Sequence, residues 1–220
     1  MRLLELFCGT KSVGKVADKK NWETISLDFN PKFKATHTVD ILEWDYTIYP
    51  RNHFDIIWAS PDCTTWSFAS GGKYRKKDNI LGVGKQNQEK ITASNNMIHK
   101  VIEIIKYFQP TAWYIENPRG LLTYYPPLNE FINEVSAKRT LVYYGNYNHS
   151  FPKPTHIWSN MNIWENEKQP VMPEDTYEVK FHKGSNTYKR YYKGFHNASN
   201  AGRSMIPPLL IERLFNLIET

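Results

Sequence analysis

Two short segments carry side chains whose types and spacing could do chemistry together. In the first, an apolar run at residues 54–58 ends in Ser60-Pro61-Asp62, and Cys63 follows that turn with Thr64, Thr65 and Ser67 behind it. A thiol just past the carboxyl end of a strand is a candidate nucleophile, because ligands collect at that edge of an open α/β sheet. In the second, the apolar run at residues 111–115 leads into Glu116-Asn117-Pro118-Arg119-Gly120, a carboxylate and an amide suited to hydrogen bonding a ring substrate. Each has an ordinary alternative. A lone free cysteine is commonly a small buried hydrophobe, and Glu-Asn after a strand can cap a helix.

The elements that must position these groups can be read from periodicity. Residues 3–7 are apolar, and Cys8-Gly9-Thr10 turns them towards a helix, an arrangement that lets backbone approach a ligand at a helix amino terminus. No Gly-Lys-Ser/Thr closes a Walker spacing. A second strand at 22–28 ends on Asp28, where a dinucleotide-type fold places its ribose-binding acid, and a third at 35–39 precedes Asp40. Apolar residues at Ile91, Met97, Ile98, Val101, Ile102, Ile105 and Phe108 predict a helix over 86–108, stopped by Pro110. A helix at 128–137, strands at 141–144 and 155–159, and a closing helix at 209–218 complete an α/β pattern.

Two polar regions interrupt it. Residues 70–84 hold four glycines with Lys73, Arg75, Lys76 and Lys77, which reads as a mobile loop whose cations meet phosphates, with a merely solvated charge run as the plain alternative. Residues 160–195 interleave Lys189, Arg190 and other cations with tyrosines, a mixture suited to stacking bases and pairing phosphates, although an irregular surface extension has the same composition.

Composition sets the outer bounds. The chain has 220 residues, enough for one domain with a large core, and 40% are hydrophobic. No apolar run approaches a membrane span, and the first residues lack the pattern of a signal peptide. Two cysteines, Cys8 and Cys63, make neither a disulfide scaffold nor a zinc cluster, so a reducing compartment is expected. The net charge of +6, with 28 Lys+Arg, attracts nucleic acid or acidic membranes, and charge alone chooses neither.

Taken in order, Leu4-Glu5-Leu6-Phe7-Cys8-Gly9-Thr10, Pro61-Asp62-Cys63 and Glu116-Asn117-Pro118 resemble the DNA (cytosine-5)-methyltransferases, compact phage-encoded members in particular. That family has a Phe-x-Gly-x-Gly turn, a Pro-Pro-Cys nucleophile and a Glu-Asn-Val pair, and residues 204–210 are similar to its closing motif. The resemblance implies a Rossmann-like S-adenosylmethionine-dependent methyltransferase fold, with a mostly parallel sheet flanked by helices and a reduced target-recognition region. It divides the chain into a catalytic and cofactor-binding domain at 1–159, a short DNA-recognition extension at 160–200, and a C-terminal helix packing back at 201–220.

By the same resemblance Cys63 adds to carbon 6 of a cytosine flipped out of DNA, Glu116 contacts the ring nitrogen and amine, and Asn117 positions neighbouring backbone. Lys153 stands loosely where the family has Gln-x-Arg-x-Arg. Phe7, Gly9, Thr10, Asp28, Asp40, Pro61 and Ser204 would hold S-adenosylmethionine, and Ser67, Lys73, Arg75, Lys76, Lys77, Lys189 and Arg190 would contact DNA. No metal and no membrane partner are expected; the protein is expected to be a monomer in the cytoplasm of a bacterial or phage-infected cell. Departures from the pattern are Lys11 at the second Gly, Asp62 at the second Pro, Pro118 at Val and Ser204 at Asn. The short extension implies loose sequence recognition. An RNA cytosine methyltransferase and a degenerate DNA-binding relative are the alternatives; methylation of a base amine needs no thiol.

Overall fold

The computed structural model describes residues 1–68, 73–81, 87–173, 177–182, 187–192 and 205–219, the two segments between 177 and 192 as backbone strands only. Strands β1 (Arg2–Leu6), β2 (Glu23–Asp28), β3 (His37–Thr38), β4 (Ile56–Ala59), β5 (Ala112–Pro118), β6 (Lys138–Tyr143) and β7 (Pro154–Ser159) form one sheet in the order β3-β2-β1-β4-β5-β7-β6. All run parallel except β7, which is antiparallel to both its neighbours. Strands β8 (Tyr177–His182) and β9 (Thr187–Tyr192) form a separate antiparallel pair. The expected α/β fold with a mostly parallel sheet is therefore present.

Helices cover both faces. On one, α2 (Gln88–Phe108) and α3 (Pro126–Glu134) bury Ile98, Val101, Phe108, Leu128 and Phe131 against Leu4, Leu6, Ile57 and Ile115. On the other, α1 (Gly14–Lys19) and α4 (Pro208–Asn216) bury Val16, Leu210, Leu214 and Phe215 against Leu3, Ile56, Trp58 and Tyr114. A parallel sheet covered on both faces needs continuous apolar strands, which is why β4 is buried throughout. The α2 stripe ends where Gln109 adopts φ 48 before Pro110, as expected from the proline stop. Helix α3 begins two residues earlier than the apolar spacing suggests, because Pro126 and Pro127 occupy a first turn that needs no backbone N–H. No helix among the described residues is long and apolar enough to cross a membrane.

The topology decides where chemistry can occur. From β1 the chain proceeds outward through β2 and β3, then returns to place β4 on the other side of β1. The reversal leaves a crevice at the carboxyl ends of β1 and β4. The carboxyl ends of β5 and β6 reach the same edge, and β7, running the other way, begins there.

Candidate active site at the carboxyl edge of the sheet

A single cavity of about 1010 Å³ opens along this edge. One end is lined by Glu5, Phe7, Cys8, Gly9, Thr10, Ser12, Asp28 and Phe33, the other by Pro61, Asp62, Cys63, Ser67, Glu116 and Lys153.

The first end is built by an unusually curled turn. Phe7, Gly9 and Lys11 all have positive φ, at 58°, 47° and 57°, so every second residue is left-handed as β1 leaves the sheet. Lys11 thus adopts the left-handed backbone at the position where a second glycine was expected, and its Nζ donates to Lys34 O at 2.5 Å. Gly9 N donates to Asp28 Oδ2 at 2.9 Å, which ties the turn to the end of β2. Behind it, Glu5 accepts Val13 N at 3.1 Å and Gly14 N at 3.0 Å, holding the start of α1. Burial pushes the Glu5 carboxyl up to about 7 despite these two bonds. Burial, with Glu5 and Asp28 nearby, also pushes the Cys8 thiol up to about 12, which makes Cys8 an inert thiol.

At the second end, the Cys63 carbonyl accepts Trp66 N and Ser67 N at 3.0 and 2.8 Å, closing the turn that presents the thiol. Asp62 Oδ1 accepts Thr64 N at 3.1 Å and Thr64 Oγ1 at 2.7 Å. This turn is clamped in two places, to β5 and to the 3₁₀ turn Leu121–Tyr124 that follows it. Asn117 Nδ2 donates to Pro61 O at 2.9 Å, and Leu121 N donates to Trp66 O at 2.7 Å. The second clamp requires Gly120, since a Cβ there would lie 2.4 Å from Trp66 O. Asn117 Oδ1 is buried with no hydrogen-bond partner among the described residues.

Burial pushes the Cys63 thiol up to about 11, with Glu116 and then Asp62 raising it further and Lys153 opposing them. Lys153, at the entry to β7 with φ 34, is lowered by burial, while Glu116 and Cys63 hold its charge. Its Nζ lies 4.3 Å from the ring centroid of Tyr144, and the Tyr144 hydroxyl donates to Glu116 Oε1 at 2.8 Å. Cys63, Glu116 and Lys153, predicted from different parts of the sequence, therefore meet in one place.

Other predicted residues fall differently. Arg75 is a correction: it is fully buried, with its guanidinium 3.5 Å from the Trp66 ring centroid. It donates to Thr65 Oγ1 through Nε and Nη2, to Ile80 O through Nη1 and to Ile91 O through Nη2. Every side of the guanidinium is used internally, so it braces the loop and does not present charge to DNA; burial lowers its pKa to about 10. Lys73, Lys76 and Lys77 around it are exposed. Asp40 is exposed, caps Leu42 N at 2.9 Å and does not line the cavity. Ser204 lies outside the described residues, although Ile206 beside it lines the cavity. Lys189 and Arg190 sit in β9, paired with Lys180 and Val179.

Sequence reasoning missed Gln169, which contributes to the cavity wall, and Tyr144, which is fully buried behind Glu116 and does not itself line the cavity. For Tyr144 a signal existed: its strand is parallel to β5, so its carboxyl end reaches the same edge, and a buried tyrosine hydroxyl requires a partner.

Comparison with known proteins adds independent information. Residues 1–148 match the family model of C-5 cytosine-specific DNA methylases. A protein of Frog virus 3 (isolate Goorha) described as "Probable DNA (cytosine-5)-methyltransferase" is 34% identical over 126 residues, covering 54% of each chain. The present chain thus spans about half the length of that viral relative. Among solved structures, a "putative DNA modification methyltransferase" encoded within an E. coli prophage is 14% identical, with a TM-score of 0.52 over 74% of this chain and 49% of its own. The Entamoeba histolytica methyltransferase EhMeth is 12% identical, with a TM-score of 0.52 over 80% of this chain and 58% of its own. At these identities the two structures bear on the fold alone.

Proposed function

The chain belongs to the C-5 cytosine-specific DNA methylase family, and from that premise we propose that it methylates carbon 5 of cytosine in DNA through a covalent adduct at Cys63. The observation that carries this reading is the single cavity joining the Gly9 turn to Cys63 and Glu116, which lets a methyl donor and a methyl acceptor lie within reach of one another.

The donor end suits S-adenosylmethionine. The open backbone at Gly9 and the Asp28 carboxylate at the end of β2 would hold it, with Phe7, Thr10 and Pro61 as walls. When bound, it would supply an electrophilic methyl group, its sulfonium C–S bond breaking to leave a neutral thioether. Asp40, turned towards Leu42 N, is left out of this set.

The acceptor end supplies the nucleophile. At neutral pH Cys63 rests as the thiol, so its proton must leave before sulfur can attack. The Cys63 proton passes to Glu116, whose carboxyl then donates to ring N3 of a seated cytosine and accepts from its amine, while Lys153 supports the thiolate that remains. Sulfur then bonds to carbon 6, and the pair of the 5,6 double bond makes carbon 5 nucleophilic. Once carbon 5 has gained the methyl group, its proton passes to water in the cavity, and the C–H pair restores the double bond as the S–C6 bond breaks and Cys63 leaves as the thiolate. A stacked base cannot meet this cavity, so the target must leave the helix. The exposed Lys73, Lys76 and Lys77 beside the nucleophile turn suit phosphate contact, with Ser67, Lys189, Arg190 and the 160–200 extension completing the DNA-facing side.

DNA carrying 5-fluorocytosine tests this directly, because fluorine at carbon 5 blocks the final elimination. A denaturant-resistant adduct that needs S-adenosylmethionine and vanishes in Cys63→Ala is the expected result. An adduct that survives in Cys63→Ala would refute the nucleophile, and one formed only with RNA would move the substrate.

A further inference from the structure

We propose that Tyr144 is a positioning residue for methyl transfer, one side chain that fixes both the Glu116 carboxylate and the Lys153 ammonium for the incoming ring. The proposal rests on the cytosine reading of the site. Tyr144 is fully buried at the carboxyl end of β6, in the 3₁₀ turn Tyr144–Tyr147. Its hydroxyl donates to Glu116 Oε1 at 2.8 Å, so one oxygen of that carboxylate is used by the protein, and Oε2 has no hydrogen-bond partner among the described residues. A glutamate with three rotatable bonds on a strand end is thereby held in one orientation with one acceptor free.

The ring does separate work. Its face lies 4.3 Å from Lys153 Nζ, close enough for a cation–π contact, which is stronger in a dry site than at a surface. The backbone reinforces this, since Tyr144 N donates to Lys153 O at 3.4 Å and Gly145 N to Pro152 O at 3.2 Å, extending the β6–β7 pairing to the site. Thus the carboxylate is held by the hydroxyl and the ammonium by the π-face of the same residue. Burial and the adjacent Glu116 keep the phenol protonated far above the usual tyrosine range, so it donates at every working pH.

Packing alone does not require this choice of partner. Tyr147, on the same turn, gives its hydroxyl to Glu167, outside the cavity. It is therefore an internal control for the loss of a buried tyrosine hydroxyl.

The test measures single-turnover adduct formation on 5-fluorocytosine DNA by the full chain, with wild type, Tyr144→Phe, Tyr147→Phe, Glu116→Gln and the double variant Tyr144→Phe/Glu116→Gln. Tyr144→Phe is expected to slow the step about 10- to 100-fold, the scale of a misplaced reacting group, with cofactor and DNA affinities unchanged. In the Glu116→Gln background the same substitution should cost less than about 2-fold, since coupled residues are not additive. Tyr147→Phe should lower melting temperature and leave the rate alone. An unchanged rate in Tyr144→Phe, or equal slowing with and without Glu116, overturns the proposal while leaving the cytosine reading standing. A wild type that forms no adduct with any cytosine substrate overturns both. If Tyr144→Phe does not fold, fluorotyrosine at residue 144 keeps the ring and changes hydroxyl acidity; a rate that shifts with fluorine number is expected, and a flat series refutes the role.

Discussion

The 3₁₀ turn Tyr144–Tyr147 has two sides, each offering a tyrosine hydroxyl to a glutamate, and the two glutamates are used differently. On the outer side Glu167 is saturated. Its Oε1 accepts Tyr147 OH and Trp164 Nε1 at 2.9 Å, and its Oε2 accepts Tyr143 N at 2.9 Å and Asn146 Nδ2 at 2.8 Å. Arg213 Nη1 stands 3.7 Å from Oε1 and stacks its guanidinium over Trp164. On the cavity side Glu116 has Tyr144 on Oε1 and an Oε2 with no partner among the described residues, beside a protonated thiol and a half-buried ammonium. A carboxylate whose lone pairs are all taken serves as a rivet, and one left incomplete inside a cavity is available to a ligand.

That contrast can be broken most decisively at Glu116. Glu116→Gln keeps the shape but replaces a charged acceptor, and should lower turnover about 10²- to 10³-fold, on the scale of lost electrostatic stabilisation in a transition state. Thermal stability should remain at the wild-type value. If the melting temperature fell and turnover did not, the two glutamates would have exchanged roles.

Glu167→Ala is the converse. It leaves four donors without their acceptor, so unfolding in urea should show a loss of about 2–4 kcal/mol. The folded fraction should retain its single-turnover rate; a slowed reaction would mean that the rivet also shapes the cavity.

A smaller effect sharpens the cavity side alone. Because the Cys63 pKa is raised to about 11, its alkylation rate should climb through the alkaline range, with a midpoint near that value. Lys153 is the charge that opposes the rise, so Lys153→Met should move the midpoint still higher. A midpoint that fell instead would remove Lys153 from the neighbourhood of the thiol.

Much of this was readable in advance, for physical reasons. β1, β4 and β5 are buried on both faces, so their apolar runs stand out, and the residues just after them were placed at the cavity without knowledge of any contact. The sequence failed where the answer depends on which side chain turns inward. Lys73, Arg75, Lys76 and Lys77 form one cationic cluster in the text, and only closure of the loop over Trp66 selects Arg75 as the buried member. The partnership of Tyr144 with Glu116 spans 28 residues and two strands, and no local pattern encodes it. Asp40 was misplaced because β3 is only two residues long and the chain turns away at once, spending the carboxylate on Leu42 N.

The reversed direction of β7 has an evolutionary consequence. Parallel strands deliver only their endings to the working edge of the sheet, so each new functional group there must come from a strand terminus already committed to a crossover. One antiparallel strand makes an exception, because the hairpin from Tyr143 to Pro154 both arrives at and departs from that edge. Insertions, deletions or replacements within 148–152, between Tyr147 and Lys153, can therefore remodel the cavity wall at Phe151 and Pro152 while every strand keeps its register and Tyr144 and Lys153 stay in place. In this architecture the tip of the hairpin is an exchangeable cassette, whose variation reshapes the cavity mouth without rebuilding the scaffold.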